Sequence, residues 1–114
     1  MYSITYDTSK NRIIVKVTEI TEDNVKQYYQ DYVKVLDEVK PGFTGLTDLC
    51  GNSMFSMYVA GELSPLGQMS VEKGLSKWAY YTGSAISKMQ MKRMFGDVVE
   101  SFEKLEDAEA FLDS

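Results

Sequence analysis

The sequence predicts an α/β domain: an N-terminal β-hairpin, then alternating helices and strands. They make a mixed, mostly parallel sheet of about five strands flanked by about four helices. Three observations predict it. Two β-branched, alternating segments stand four residues apart at the N-terminus. A strongly amphipathic segment then ends at Pro41-Gly42. After it, short apolar segments and helix-patterned segments alternate to the last residue, the signature of strands joined by helical crossovers.

The hairpin comes first. Tyr2–Asp7 alternates apolar and polar residues, as a strand with one buried face does. Thr8–Asn11 is turn chemistry, and Arg12–Ile20 is a second strand rich in Val and Ile. The short turn requires the two to be antiparallel. Thr21 is placed to cap a helix, with Glu22 and Asp23 in its first turn. Val25, Tyr28, Tyr29, Tyr32, Val33, Leu36 and Val39 recur at helical steps and form one apolar face.

Phe43–Leu49 reads as a short third strand, weakened by Gly45. Gly51–Gly74 has helical spacing at Phe55, Tyr58 and Val59, broken by Gly61 and Pro65. Ser64-Pro65 is a cap followed by a first helical residue, and Gly74 is a stop, so one kinked helix or two short ones are expected. Lys77–Gly83 is a strand apolar on both faces, and Ser84–Gly96 a helix opened by a serine cap. Asp97–Phe102 is a last strand and Leu105–Leu112 a last helix. No linker or repeat interrupts residues 1–114, which read as a single domain.

Composition excludes several functions. The chain has no histidine and one cysteine. Ser-His-Asp and Cys-His catalysis are therefore absent from it, and a zinc site lacks its usual ligands. No catalytic residue, metal or cofactor is expected, and the chain is read as a non-enzyme. The net charge of −5 opposes a nucleic-acid role, since phosphate contacts need a basic face. No run reaches the length of a membrane span, and the N-terminus lacks a signal-peptide pattern, so a cytoplasmic protein is expected.

The residues that could carry function form four groups. Asp48, Cys50, Ser53 and Ser56 fall at the end of the third strand and in the segment after it. Cys50 lacks a histidine to activate it; a free cysteine most often packs as a small hydrophobe. Met54, Phe55, Met57, Tyr58 and Met69 make an adaptable apolar set that could cover a pocket for a small apolar or lipid-like ligand, pack in the core, or face a second copy of the chain. Gly83 and Ser84 open a helix, where backbone N–H groups suit an anion, or where the serine simply caps its own helix. Lys88, Lys92 and Arg93 lie toward the C-terminal end of that helix, where cations are favourable.

Gly83, Ser84-Ala85-Ile86, Lys88-Met89-Gln90-Met91-Lys92-Arg93 and Leu105-Glu106-Asp107-Ala108-Glu109-Ala110-Phe111-Leu112 follow one another in a recognisable order. With Lys40–Leu49 as the third strand, the chain resembles the SpoIIAA-like family of the STAS superfamily. The resemblance implies a small cytoplasmic regulatory module that binds a protein partner or a second copy of itself. It also implies that a serine after the third strand, within Asp-Ser-Ser-Gly, is phosphorylated to switch partner binding. Here the corresponding residues read Asp48-Leu49-Cys50-Gly51-Asn52-Ser53, so the motif is replaced and Ser53 and Ser56 are the neighbouring serines.

Overall fold

The computed structural model describes residues 2–18, 20–48, 57–81, 89, 92–93 and 98–114, with only the backbone at 57 and 60. Five strands form one sheet: β1 (Tyr2–Asp7), β2 (Arg12–Val17), β3 (Thr44–Asp48), β4 (Lys77–Tyr81) and β5 (Val99–Phe102). Their order across the sheet is the order along the chain. β1 and β2 are antiparallel, and β2, β3, β4 and β5 run parallel. The helices are α1 (Val25–Leu36), α2 (Met57–Glu72) and α3 (Leu105–Asp113). Of the helix expected over Ser84–Gly96, Met89, Lys92 and Arg93 are described and are helical; the rest lies outside the described residues.

Strand alternation sorts side chains onto two faces. One face carries Ile13, Val15, Val17, Trp78, Tyr80 and Val99, buried against Val25, Tyr28, Tyr32 and Leu36 of α1 and Val59, Leu63 and Leu66 of α2. This is the main core. The other face carries Leu46 and Ala79, covered by Ala108 and Leu112 of α3. That second core is much smaller. Over β1 and β2, the same face presents the exposed residues Ser3, Thr5 and Lys16 and the 36% exposed Ile14.

Register explains two sequence oddities. Gly45 pairs with Trp78, and a Cβ at Gly45 would stand 1.9 Å from the indole ring. The glycine that weakens β3 as a strand former is the residue that makes room for the tryptophan. Arg12, Thr44 and Lys77 form one row across β2, β3 and β4. Arg12 is only 4% exposed; its Nε donates to Thr44 Oγ1 (2.9 Å) and its Nη2 to Asp113 Oδ1 (2.6 Å). Lys77 Nζ donates to the Phe111 carbonyl (3.1 Å) and the Ser114 carbonyl (2.9 Å). Two cations thus meet the negative end of the α3 dipole.

The hairpin turn is held from outside. Asn11 has φ 52°, the left-handed region that asparagine tolerates. Its side chain accepts from the Lys40 N–H (3.1 Å) and donates to the Lys40 carbonyl (3.0 Å). Two sharp turns also meet: the Gly42 N–H donates to the Gly74 carbonyl at 2.8 Å.

Two boundaries differ from the sequence expectation. β2 ends at Val17 rather than Ile20; Ile20 leaves the strand yet stays buried in the core. α1 begins at Val25, after a turn in which Thr21 Oγ1 accepts from the Asp23 N–H and Asn24 Oδ1 accepts from the Thr21 N–H. Glu22 and Asp23 therefore precede the first turn instead of occupying it. α2 runs unbroken from Met57 to Glu72 with Pro65 inside it. Pro65 and Gly61, four residues earlier, are both exposed, so water can satisfy the carbonyl that proline leaves unpaired.

Candidate functional site

Two places in the fold concentrate functional side chains. The first is the C-terminal end of β3. Asp48 is its last residue, half-buried, in register between Lys16 and Tyr81. Cys50, Ser53, Met54, Phe55 and Ser56 lie outside the described residues, as do Gly83 and Ser84. Met57 opens α2, and its side chain is likewise outside. Tyr58 is 44% exposed. Met69 is half-buried at the far end of α2, where Tyr29 Oη donates to its sulfur at 3.4 Å. Tyr58 and Met69 stand three turns apart on one helix and do not meet. Of the basic set, Lys92 is engaged by β5: its Nζ donates to the Val99 carbonyl (3.1 Å) and lies 3.9 Å from Glu100.

The second place is a cavity of about 50 Å³ between the sheet and α2. Apolar walls come from Val17, Ile20, Leu63, Leu66, Leu75 and Val99. The hydroxyl-bearing residues among its lining are Tyr28 and Tyr32 of α1, Thr47 of β3, Ser70 of α2 and Tyr80 of β4, and Trp78 lines it as well. Sequence reasoning placed Tyr28 and Tyr32 on the apolar face of α1 but did not mark them as a site. The available signal was polar groups within apolar stripes: tyrosines one turn apart in α1, and Ser70 among apolar α2 residues.

The cavity wall is an aromatic ladder. Ring centroids are 5.0 Å apart for Tyr2–Tyr28, 6.2 Å for Tyr28–Tyr32, 5.9 Å for Tyr32–Trp78 and 6.5 Å for Trp78–Tyr80. Such pairs add attraction beyond their buried area and fix ring orientation. Hydrogen bonds lock the ladder further. Trp78 Nε1 donates to Thr47 Oγ1 (2.9 Å). Ser70 Oγ donates to the Leu66 carbonyl (2.7 Å), so its 2.7 Å contact with Tyr32 Oη is a bond that Tyr32 donates. At the outer end, Tyr2 Oη donates to Asp31 Oδ2 at 2.5 Å, and Gln27 Nε2 donates to the other carboxylate oxygen at 2.9 Å.

These surroundings set the proton affinities. Burial first, then the Asp31 carboxylate, push the Tyr2 hydroxyl up to about 12. The Tyr2 and Gln27 hydrogen bonds hold the Asp31 carboxyl below its ordinary value. Burial raises Tyr28, Tyr32 and Tyr80 as well. All three stay protonated at neutral pH, so each hydroxyl is a potential hydrogen-bond donor. No Asp, Glu, Lys or Arg among the described residues lines the cavity. Among the described residues, no group of three His, Cys, Asp or Glu could hold a metal, and no helix is long and apolar enough to cross a membrane.

No protein-family model matches the chain, and no curated protein matches it in sequence. Solved structures are similar to it in three dimensions. A serine-to-glutamate variant of RsbS from Moorella thermoacetica superposes with TM-score 0.71 at 14% identity, covering 97% of this chain and 93% of that one. An uncharacterised protein of the DUF3478 family from Shewanella loihica PV-4, described as having a SpoIIAA-like fold, gives TM-score 0.72 at 18% identity with the same coverage. The protein TM1081, solved by NMR, gives 0.60 at 12% identity, covering 99% of this chain and 89% of that one. Hairpin, mixed five-stranded sheet and helices on both faces agree with these relatives: the chain has the SpoIIAA-like fold.

Proposed function

We propose that the chain is a non-catalytic regulatory module of the SpoIIAA-like type, which acts by docking a protein partner or a second copy of itself in the cytoplasm. The observation that carries this reading is the fold. Asp48 ends β3, and residues 49–56, with Cys50, Ser53 and Ser56, lead directly into α2. Phosphorylation of Ser53 or Ser56 would add about two negative charges to the segment between Asp48 and α2 and alter a partner surface that includes it. One structural neighbour is itself a serine-to-glutamate variant, a substitution that sets a carboxylate where a phosphate could sit.

Comparative affinity capture tests the proposal with the intact chain, the Ser53→Glu form and the Ser56→Glu form. The expected result is a partner, or self-association, present with the unmodified chain and lost with one glutamate form. The same captured proteins and the same mass in solution for all three would overturn it.

The competing reading is an apolar or lipid-like ligand beneath α2. The cavity there favours a ligand of some kind. Its volume of about 50 Å³ is a third of the ~150 Å³ that accommodates benzene, and an acyl chain needs more.

A further inference from the structure

We propose that the cavity beneath α2 binds a small neutral molecule of a few heavy atoms that carries a hydrogen-bond acceptor, held by the Tyr28 hydroxyl. This is independent of any protein docking.

The hydrogen-bond account of the cavity singles out Tyr28. Tyr32 donates to Ser70, Ser70 donates to the Leu66 carbonyl, and Trp78 donates to Thr47. Tyr28 is only 7% exposed and lines the cavity, yet its hydroxyl makes no hydrogen bond among the described residues. No fully enclosed side-chain nitrogen or oxygen lacks a partner among those residues. Tyr28 is among the residues that line the cavity, and the proposal sets its hydroxyl against that open space. A buried donor left unmatched costs more than a typical hydrogen bond contributes. An occupant with an acceptor removes that cost.

The walls fix the rest of the chemistry. Among the described residues no charged side chain lines the cavity, so an ionic ligand would lose its hydration without a counter-ion from them. The tyrosines are donors at neutral pH, so the ligand must supply the acceptor. The apolar walls favour a hydrocarbon body. About 50 Å³ exceeds the ~10–15 Å³ that one water needs and falls short of an aromatic ring. A short ketone or alcohol has the right size and polarity.

Trp78 is the only tryptophan, and its indole N–H bonds Thr47 at the cavity wall, so one NMR resonance reports occupancy. The intact chain is titrated separately with acetone, with its charged isostere acetate, and with xenon. Acetone is expected to shift the indole resonance saturably in the millimolar range, a scale suited to so small a ligand. Acetate is expected to shift nothing at the same concentrations. Tyr28→Phe should weaken acetone about 3- to 10-fold, the loss of one hydrogen bond, and leave xenon binding unchanged. The variant should melt no lower than the parent, because the lost hydroxyl had no protein partner and its unmatched burial carried a cost. A shift that stays linear with acetone, or equal affinity for acetate, overturns the proposal. So does a Tyr28→Phe form that binds acetone as tightly as the parent.

Discussion

Gly45 and Tyr2 show how single residues set the terms for their neighbours. Gly45→Ala would drive a Cβ into the Trp78 ring, and the ring is fixed by Tyr32, Tyr80 and Thr47. Overpacking of this kind costs about 1–3 kcal/mol, and the upper half of that range is expected here because the ring cannot turn aside. Urea denaturation measures it. In a Trp78→Leu background the same alanine should cost far less, since the two residues share one space. Tyr2 makes a prediction about alkali. Its hydroxyl is held up to about 12 in the fold, against an ordinary value near 10. The folded state therefore favours the protonated phenol. Its contribution to stability is fully present below about pH 10 and is lost as pH rises through about 12. Tyr2→Phe should flatten the decline in melting temperature over that window. By removing the hydrogen bond it should also let the Asp31 carboxyl titrate higher, which carboxyl NMR would show.

At the scale of elements, α2 is where the sequence was hardest to read. Its apolar residues have helical spacing, but Gly61 and Pro65 each favour a break. Tertiary contacts override both: Val59, Leu63, Leu66 and Ser70 all lie on the buried side, and the two breakers fall on the exposed side. A Cβ at Gly61 would meet nothing within 4 Å. Gly61→Ala is accordingly expected to raise stability by about 0.5–1 kcal/mol, as a rise in urea midpoint without loss of cavity binding. The hairpin and α1 were legible because alternation and helical spacing are local and unambiguous there. The ends of β2 and α1 were not, because the Thr21–Asn24 turn depends on reciprocal side-chain bonds that composition does not reveal. The cavity was also illegible. It exists because residues from α1, β3, α2 and β4 converge, and no sequence window contains them together.

The molecule as a whole has two cores of unequal size on the two faces of one sheet. α1 and α2 share the large one; α3 adds two buried residues to two from the sheet and has two cationic grips at its end. Hydrogen exchange on the intact chain should find α3 opening first, while β2, β3 and β4 exchange only with global unfolding. Asp113→Asn should speed α3 exchange at neutral pH. The Arg12 hydrogen bond holds the Asp113 carboxyl below its ordinary value, so the effect is fully present above about pH 4 and fades as pH falls through the lowered value. If α3 and the sheet exchange together at all pH values, the two cores are one cooperative unit.

The Arg12–Thr44–Lys77 row has one more consequence, for the order in which the chain finds its structure. The row exists only when three strands lie in one particular alignment. A slip of one residue in any of them would turn its member of the row toward the opposite side of the sheet. The final helix would then meet a missing cation or an unmatched one. The last segment of the chain thus acts as a reader of alignment, docking firmly only after the parallel strands have paired correctly and rejecting the near-misses that parallel pairing invites.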